Sequence, residues 1–398
     1  MSKRIYVFCL VAMLGMLLIV TNSMAQTRRG VTDDTIKLGV MLGLSGQAAI
    51  LGQNLGAAIE AYYAWVNDTG GINGRKVKLF TEDNGWEPAV ALAGAKKLIS
   101  QDQVLAFVNS FGTAPTHGIF NFVETERVPT LPYSYSRTMH VPLKRYVFNF
   151  LTSYNFIGGG EVDYIVKDLK DSKPKIGVIT VEGDAGNDYR DGALSAAKHY
   201  GFDIAAVQRF PQNAVDYSSQ VLNLKRADVK YVMMMGSPEQ SGTILNEIAK
   251  LGWNPIFVFN DAAWSTKLPQ LAPTVKGAYM VSVQYDYNED VPPMKRVREI
   301  VEKYSKFKPS AASFLVGWSC AEIMTAALKK AGRDLSVESL LRSLESLKDE
   351  PMSAIGPVTF SPTKHSSGDT LRIVQIDPSQ RVLFKPVTDW RKTTSVSD

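Results

Sequence analysis

Cysteine is nearly absent from this 398-residue chain, which holds Cys9 and Cys320. Cys9 falls in an apolar N-terminal run, so removing that run excludes any disulfide within the chain. Cys320 sits in an apolar helical stretch and reads as a small core residue. Histidine is equally sparse: His117, His140, His199 and His365. None has a second histidine or an acid at zinc-ligand spacing, so no metal is expected. Phosphate-binding loops are missing too. There is no G-x-x-x-x-G-K-[ST], Gly43-Leu44-Ser45-Gly46 is not a dinucleotide fingerprint, and no Gly-x-Ser-x-Gly elbow occurs. The expectation is a non-enzyme without cofactor. Low-complexity linkers, internal repeats, basic blocks and acidic tails are also lacking.

What is present begins with Lys3 and Arg4, an uncharged run from Ile5 to Val20, and Asn22-Ser23-Met24-Ala25. A positive start, an apolar core too short to span a membrane, and small residues at 23 and 25 make a cleavable signal peptide over 1–25. A lipid-anchored form would need a cysteine at the cleavage point, and Cys9 is far upstream. Export to the periplasm is expected. Without Lys3 and Arg4 the chain keeps 42 basic residues against 39 acidic ones, a net charge of +3. That near balance points away from nucleic acid as a partner. With no disulfide, an exported chain of this length must hold itself by burial, enough for two or three cores.

From residue 34 onward, short β-branched runs alternate with helical patterns. Ile36 to Leu42, Val77 to Thr81, Val104 to Val108 and Val128 to Leu131 read as strands. Helices at Leu55 to Val66 and Pro88 to Ile99 separate them. A second series has strands at Ile176 to Val181, Ile204 to Val207, Val229 to Met235, Ile256 to Phe259 and Ala278 to Val283. This alternation predicts an α/β fold with two doubly wound, Rossmann-like lobes. Residues 289–347 are mostly helical, with Phe314, Trp318, Ala321, Met324 and Leu328 on one face. Strand signals follow at Val358 to Phe360, Leu371 to Ile376 and Val382 to Phe384. So short a tail returns to complete both lobes, and 391–398 read as a flexible end.

Polar and aromatic residues gather just past the strand ends, where open α/β sheets bind ligands. Ser45 follows the first strand, Thr113 and Ala114 the third, and Tyr133, Ser134 and Tyr135 the fourth. In the second series the equivalents include Tyr189, Ser237 and Asp261. Hydroxyls and helix-start N–H groups suit a carboxylate, an opposing acid suits an ammonium, and aromatics wall an apolar side chain. Together they describe a zwitterionic amino acid held between lobes. Each residue taken singly is an ordinary cap or turn; their shared position carries the reading.

Four stretches carry a resemblance over residues 35–390: Ile36-Lys37-Leu38-Gly39-Val40 with Leu44-Ser45-Gly46, Gly70-Gly71-Ile72-Asn73-Gly74-Arg75, Ala114-Pro115-Thr116, and Ile355-Gly356-Pro357-Val358-Thr359-Phe360. In these the chain resembles type I periplasmic solute-binding proteins, the leucine/isoleucine/valine-binding group of ABC transporters. The resemblance implies a three-segment hinge with crossings near 150, 281 and 357. It gives a first lobe of 34–150 plus 282–357 and a second of 151–281 plus 358–390. It also implies a monomer that captures a small-molecule ligand by hinge closure and docks on ABC permease subunits. Carried over, Thr113 with Ala114 would hold the ligand carboxylate, Tyr133-Ser134-Tyr135 would serve both polar ends, Asp261 would pair the ammonium, and Tyr189 would close the pocket. Leu51 and Ser237 stand where the family often has aromatics, and two tyrosines where small residues are common. An aromatic carboxylate or small amide is therefore an alternative ligand, and a sensor on the same fold an alternative role.

Overall fold

The computed structural model describes residues 29–45, 49–211, 214–264, 268–379 and 383–396. The expected signal peptide, Gly46 and residues 397–398 lie outside them. The first series runs β1 (Thr35–Leu42), α1 (Ala49–Asp68), β2 (Lys76–Asp83), α2 (Pro88–Ser100), β3 (Ala106–Phe111), α3 (Thr113–Thr125), β4 (Thr130–Tyr133) and β5 (Asn149–Thr152). The second continues with α4 (Tyr154–Lys167), β6 (Ile176–Val181), α5 (Asp184–His199), β7 (Ala206–Phe210), α6 (Ser218–Arg226), β8 (Tyr231–Met235), α7 (Pro238–Lys250), β9 (Ile256–Phe259), α8 (Leu268–Leu271) and β10 (Tyr279–Ser282). The return contributes α9 (Pro292–Tyr304), α10 (Ser313–Ala331), α11 (Val337–Glu345), β11 (Ser366–Gly368), β12 (Thr370–Ile376), β13 (Phe384–Pro386) and β14 (Arg391–Lys392).

The first sheet has the order β2-β1-β3-β4 and is parallel throughout. Its β3 is buried along its whole length, because helices cover both faces. On one face α1, α9, α10 and α11 bury Leu55, Ile59, Trp318, Met324 and Leu340. On the other α2 and α3 bury Ala91, Leu98, Ile119 and Val123. The second sheet runs β13-β12-β10-β9-β8-β6-β7, with β12 antiparallel to β10 and the rest of the β10-to-β7 path parallel. Its core is separate, built from Val178, Met233, Val258, Met280 and Ile373 among others. These are the two α/β lobes the alternation predicts.

The third passage between lobes comes later than 357. Val358 and Phe360 are buried in the first core, Phe360 packing edge-on against Phe148 at 5.3 Å. They form no strand of their own; Val358 makes an isolated bridge with Glu350. β11 still pairs with β5 of the first lobe, so the chain leaves at Asp369. Apolar demand under Phe148 outweighs the strand pattern. The described part of the C-terminal end is also docked. β14 pairs with β12, Arg391 makes a bidentate ion pair with Asp168, and the Thr393 hydroxyl donates to the Phe156 carbonyl at 3.0 Å.

Three consecutive glycines in α4 position the second lobe's helices. A Cβ on Gly158 would meet the Tyr189 carbonyl at 2.3 Å, and one on Gly192 of α5 would meet the Asn155 carbonyl at 2.0 Å. Gly159 and Gly160 instead face Val396, Thr393 and Leu371. The helix is packed tightly on both of these sides.

Candidate functional site

β3 ends at Phe111, and Gly112 turns the chain into α3 with φ of +97°, a left-handed conformation that glycine tolerates and a side chain resists. The turn sets Thr113 and Ala114 in the first helical turn, where backbone N–H groups have no intrahelical acceptor. β4 lies beside β3, with Tyr133 paired to Phe111, so the residues after β4 arrive next to Thr113. The Thr113 and Ser134 hydroxyls lie 2.7 Å apart, and Ser134 Oγ accepts the Ser136 amide proton at 3.2 Å. Thr113, Ala114 and Ser134 thus form one cluster of donors at a helix start.

Aromatic rings line the approach. Trp86 packs on Phe111 at 4.9 Å, Phe111 stacks on Tyr133 at 5.0 Å, Tyr133 meets Tyr135 at 5.9 Å, and Tyr135 meets Tyr154 at 5.4 Å. Tyr135 packs against both hydrophobic cores, so this run of rings crosses from one lobe to the other.

Asp261 follows β9 in the second lobe. Its carboxylate accepts a hydrogen bond from the Tyr135 hydroxyl of the first lobe, yet burial dominates and raises the carboxyl to about 7. The residue is half-buried, but Oδ1 itself is shielded from solvent and has no hydrogen-bond partner. The same charge, added to burial, pushes the Tyr133, Tyr135 and Tyr154 hydroxyls upward. A shielded carboxylate oxygen among neutral phenols is electrostatically suited to a cation.

Three other expected positions have different surroundings. Ser45 is exposed and hydrogen-bonds Asp83, tying the β1–α1 and β2–α2 loops together. Ser237 caps α7, its Oγ accepting the Gln240 amide proton at 3.2 Å in a reciprocal capping box. Tyr189 is fully buried in the second core, where its hydroxyl donates to Glu161 at 2.5 Å. Burial raises the Glu161 carboxyl well above the usual range, and the neighbouring Asp261 charge adds to this.

Two contributors are not among the expected ligand contacts, although Asp188 lies within the 182–189 segment just past β6. Tyr154 opens α4 as a ring against Tyr135, and its number gives no hint of the contact. Asp188 of α5 accepts the Ser136 hydroxyl proton at 3.0 Å and the Arg137 amide proton at 2.9 Å, both from the first lobe. An acid beside Tyr189 in the segment after β6 was the available signal.

A model of the periplasmic binding protein family matches residues 35–381. The chain belongs to that family. Its members are ligand-binding rather than catalytic proteins. An "Amino acid binding protein" of Pseudomonas aeruginosa is 23% identical over 361 residues, covering 89% of this chain and 91% of the relative. A branched-chain amino acid ABC transporter protein from Thermus thermophilus, solved with bound valine, superposes with a TM-score of 0.80 at 20% identity, covering 92% and 98% of the two chains. A fatty acid ABC transporter substrate-binding protein from Thermomonospora curvata gives 0.79 at 24% identity over 92% and 94%. A solute-binding protein from R. palustris in complex with 4-hydroxybenzoate gives 0.77 at 17% over 90% and 97%. These likenesses show the two-lobed fold; their ligands differ. Among the described residues no helix is long and apolar enough to cross a membrane.

Proposed function

We propose that this family member is the periplasmic capture component of an ABC importer, taking a branched-chain or related amino acid between its lobes and handing it to the membrane permease as a monomer. The observation that carries this reading is the shielded, partnerless Asp261 oxygen of the second lobe, linked through Tyr135 to the Thr113–Ser134 donor cluster of the first. An α-carboxylate would take the Thr113 and Ser134 hydroxyls with the first α3 amides; an α-ammonium would take Asp261. The apolar side chain would lie along Phe111, Tyr133 and Tyr154. Closure follows because each lobe satisfies one polar end of the ligand, so the closed form binds it better than either lobe alone. Ser45, Tyr189 and Ser237 would then act from behind the pocket wall, holding loops and helices rather than touching ligand.

Calorimetry against a panel of amino acids tests this. Asp261→Ala should weaken an amino acid by on the order of 2–5 kcal/mol and leave a simple carboxylate nearly unaffected. A second reading, an aromatic carboxylate or small amide, is favoured by one feature: burial raises the Asp261 carboxyl to about 7, so below that pH it stands protonated and neutral beside Tyr135 and the aromatic wall. Tight binding of 4-hydroxybenzoate with no response to any α-amino acid would select it.

A further inference from the structure

Asp188 is a buried acid whose hydrogen bonds come from the opposite lobe. Its orientation is set from behind. Tyr189, the next residue in α5, is held inward by its bond to Glu161, and the Gly158 and Gly192 contacts press α5 onto α4. Adjacent helical residues point about 100° apart, so locking Tyr189 into the core turns Asp188 toward the 136–137 turn of the first lobe. There it accepts the Ser136 hydroxyl and the Arg137 amide through one oxygen, with the Arg137 guanidinium 3.9 Å from the other. Ser136 is no remote surface residue. Its amide donates to Ser134 Oγ, which in turn meets Thr113, and its hydroxyl is also 2.8 Å from Thr138 Oγ1. The contact therefore joins the second lobe to the same turn that carries the donor cluster.

We infer that Asp188 is a positioning residue that latches the lobes shut, gripping the 136–137 turn of the first lobe beside the ligand segment without touching ligand. The inference rests on the reading of this cleft as the ligand site. Charge-assisted bonds that exist in the closed form alone bias the open–closed equilibrium and slow ligand release, while leaving encounter with the open form unchanged.

Spin labels at Ser100→Cys and Arg226→Cys, exposed helix ends in the two lobes, report the interlobe distance by pulsed electron resonance; buried Cys320 stays unlabelled. Distances are measured with and without L-leucine, alongside calorimetry and stopped-flow rates. Asp188→Ala should shift the distribution toward longer distances and speed leucine release on the order of tenfold, with the association rate within about twofold. Asp188→Asn, which keeps a carbonyl acceptor, should restore part of the short population. Ser136→Ala should act in the same direction as Asp188→Ala, and the double variant should go no further than Asp188→Ala. Identical distributions in wild type and Asp188→Ala overturn the latch, as does a wild type open under both conditions. If leucine gives no heat but the lobes still close in wild type and open in Asp188→Ala, the amino-acid reading fails and the latch stands.

Discussion

At the scale of single residues, the cleft turns on which polar atoms are left for a ligand. Ser45 and Ser237 look like ligand contacts by type, but local partners occupy them: Asp83 for one, the α7 cap for the other. Asp261 is different because Oδ1 is shielded and has no partner. Its raised carboxyl has a definite consequence for pH. The ordinary value is near 4 and the buried one about 7. The buried carboxyl therefore holds its proton more tightly than a hydrated one does, and its contribution to folded stability is lost as pH rises from about 4 through 7. An ammonium ligand reverses the sign, since it needs the ionised form. Affinity for an α-amino acid should rise as pH climbs toward about 7 and level off above it, by up to about tenfold per pH unit. Calorimetry at steps from about pH 5.5 to about 8.5 checks this. The same profile in wild type and Asp261→Asn would remove Asp261 from the ammonium site.

Among the elements, α4 carries the heaviest steric constraint. Its Gly158-Gly159-Gly160 run is invisible to a helix-propensity argument, which counts each glycine as a cost of about 1 kcal/mol against alanine. Close packing explains the run: Gly158 admits the α5 backbone, and Gly159 and Gly160 admit the C-terminal segment and β12. Gly158→Ala should improve the propensity of α4 and still destabilise the protein, by roughly 1–3 kcal/mol from overpacking. Thermal unfolding of the variant should fall by several degrees. An unchanged or higher midpoint would mean that the α4–α5 backbone contact relaxes freely. The strand ends show the same limit. Periodicity identifies the third strand, but the structure carries it through Ser110 and Phe111, which moves Phe111 from a loop into the aromatic wall.

For the whole molecule, two separate cores share one chain that changes lobe after β5, after β10 and at Asp369. The C-terminal segment is part of the second lobe's fabric. Deleting residues 391–398 would remove the β14 pairing, the Arg391–Asp168 pair and the buried Thr393–Phe156 bond. The loss should be on the order of 1–3 kcal/mol, concentrated in the second lobe. Hydrogen exchange should then show faster exchange in α4 and β12 with α1 and β1 unaffected. Equal protection in full-length and truncated protein would make the segment an accessory.

The sequence by itself determined the α/β class, the two series of strands and the family, because alternation and apolar runs are local properties that burial demands of any chain with this architecture. It also marked Thr113, Ser134, Tyr135 and Asp261 as polar residues just past the carboxyl ends of strands. Tertiary structure alone decided which of the marked residues keep free atoms, since that depends on partners far away in the chain: Asp83 for Ser45, Glu161 for Tyr189, Tyr135 for Asp261. It decided the third lobe crossing too, where Val358 and Phe360 follow Phe148 into the first core. Asp188 became an interlobe contact for the same reason, because a hydrogen bond between residues about fifty apart is written in the packing of two helices and a turn, not in the spacing of residue types.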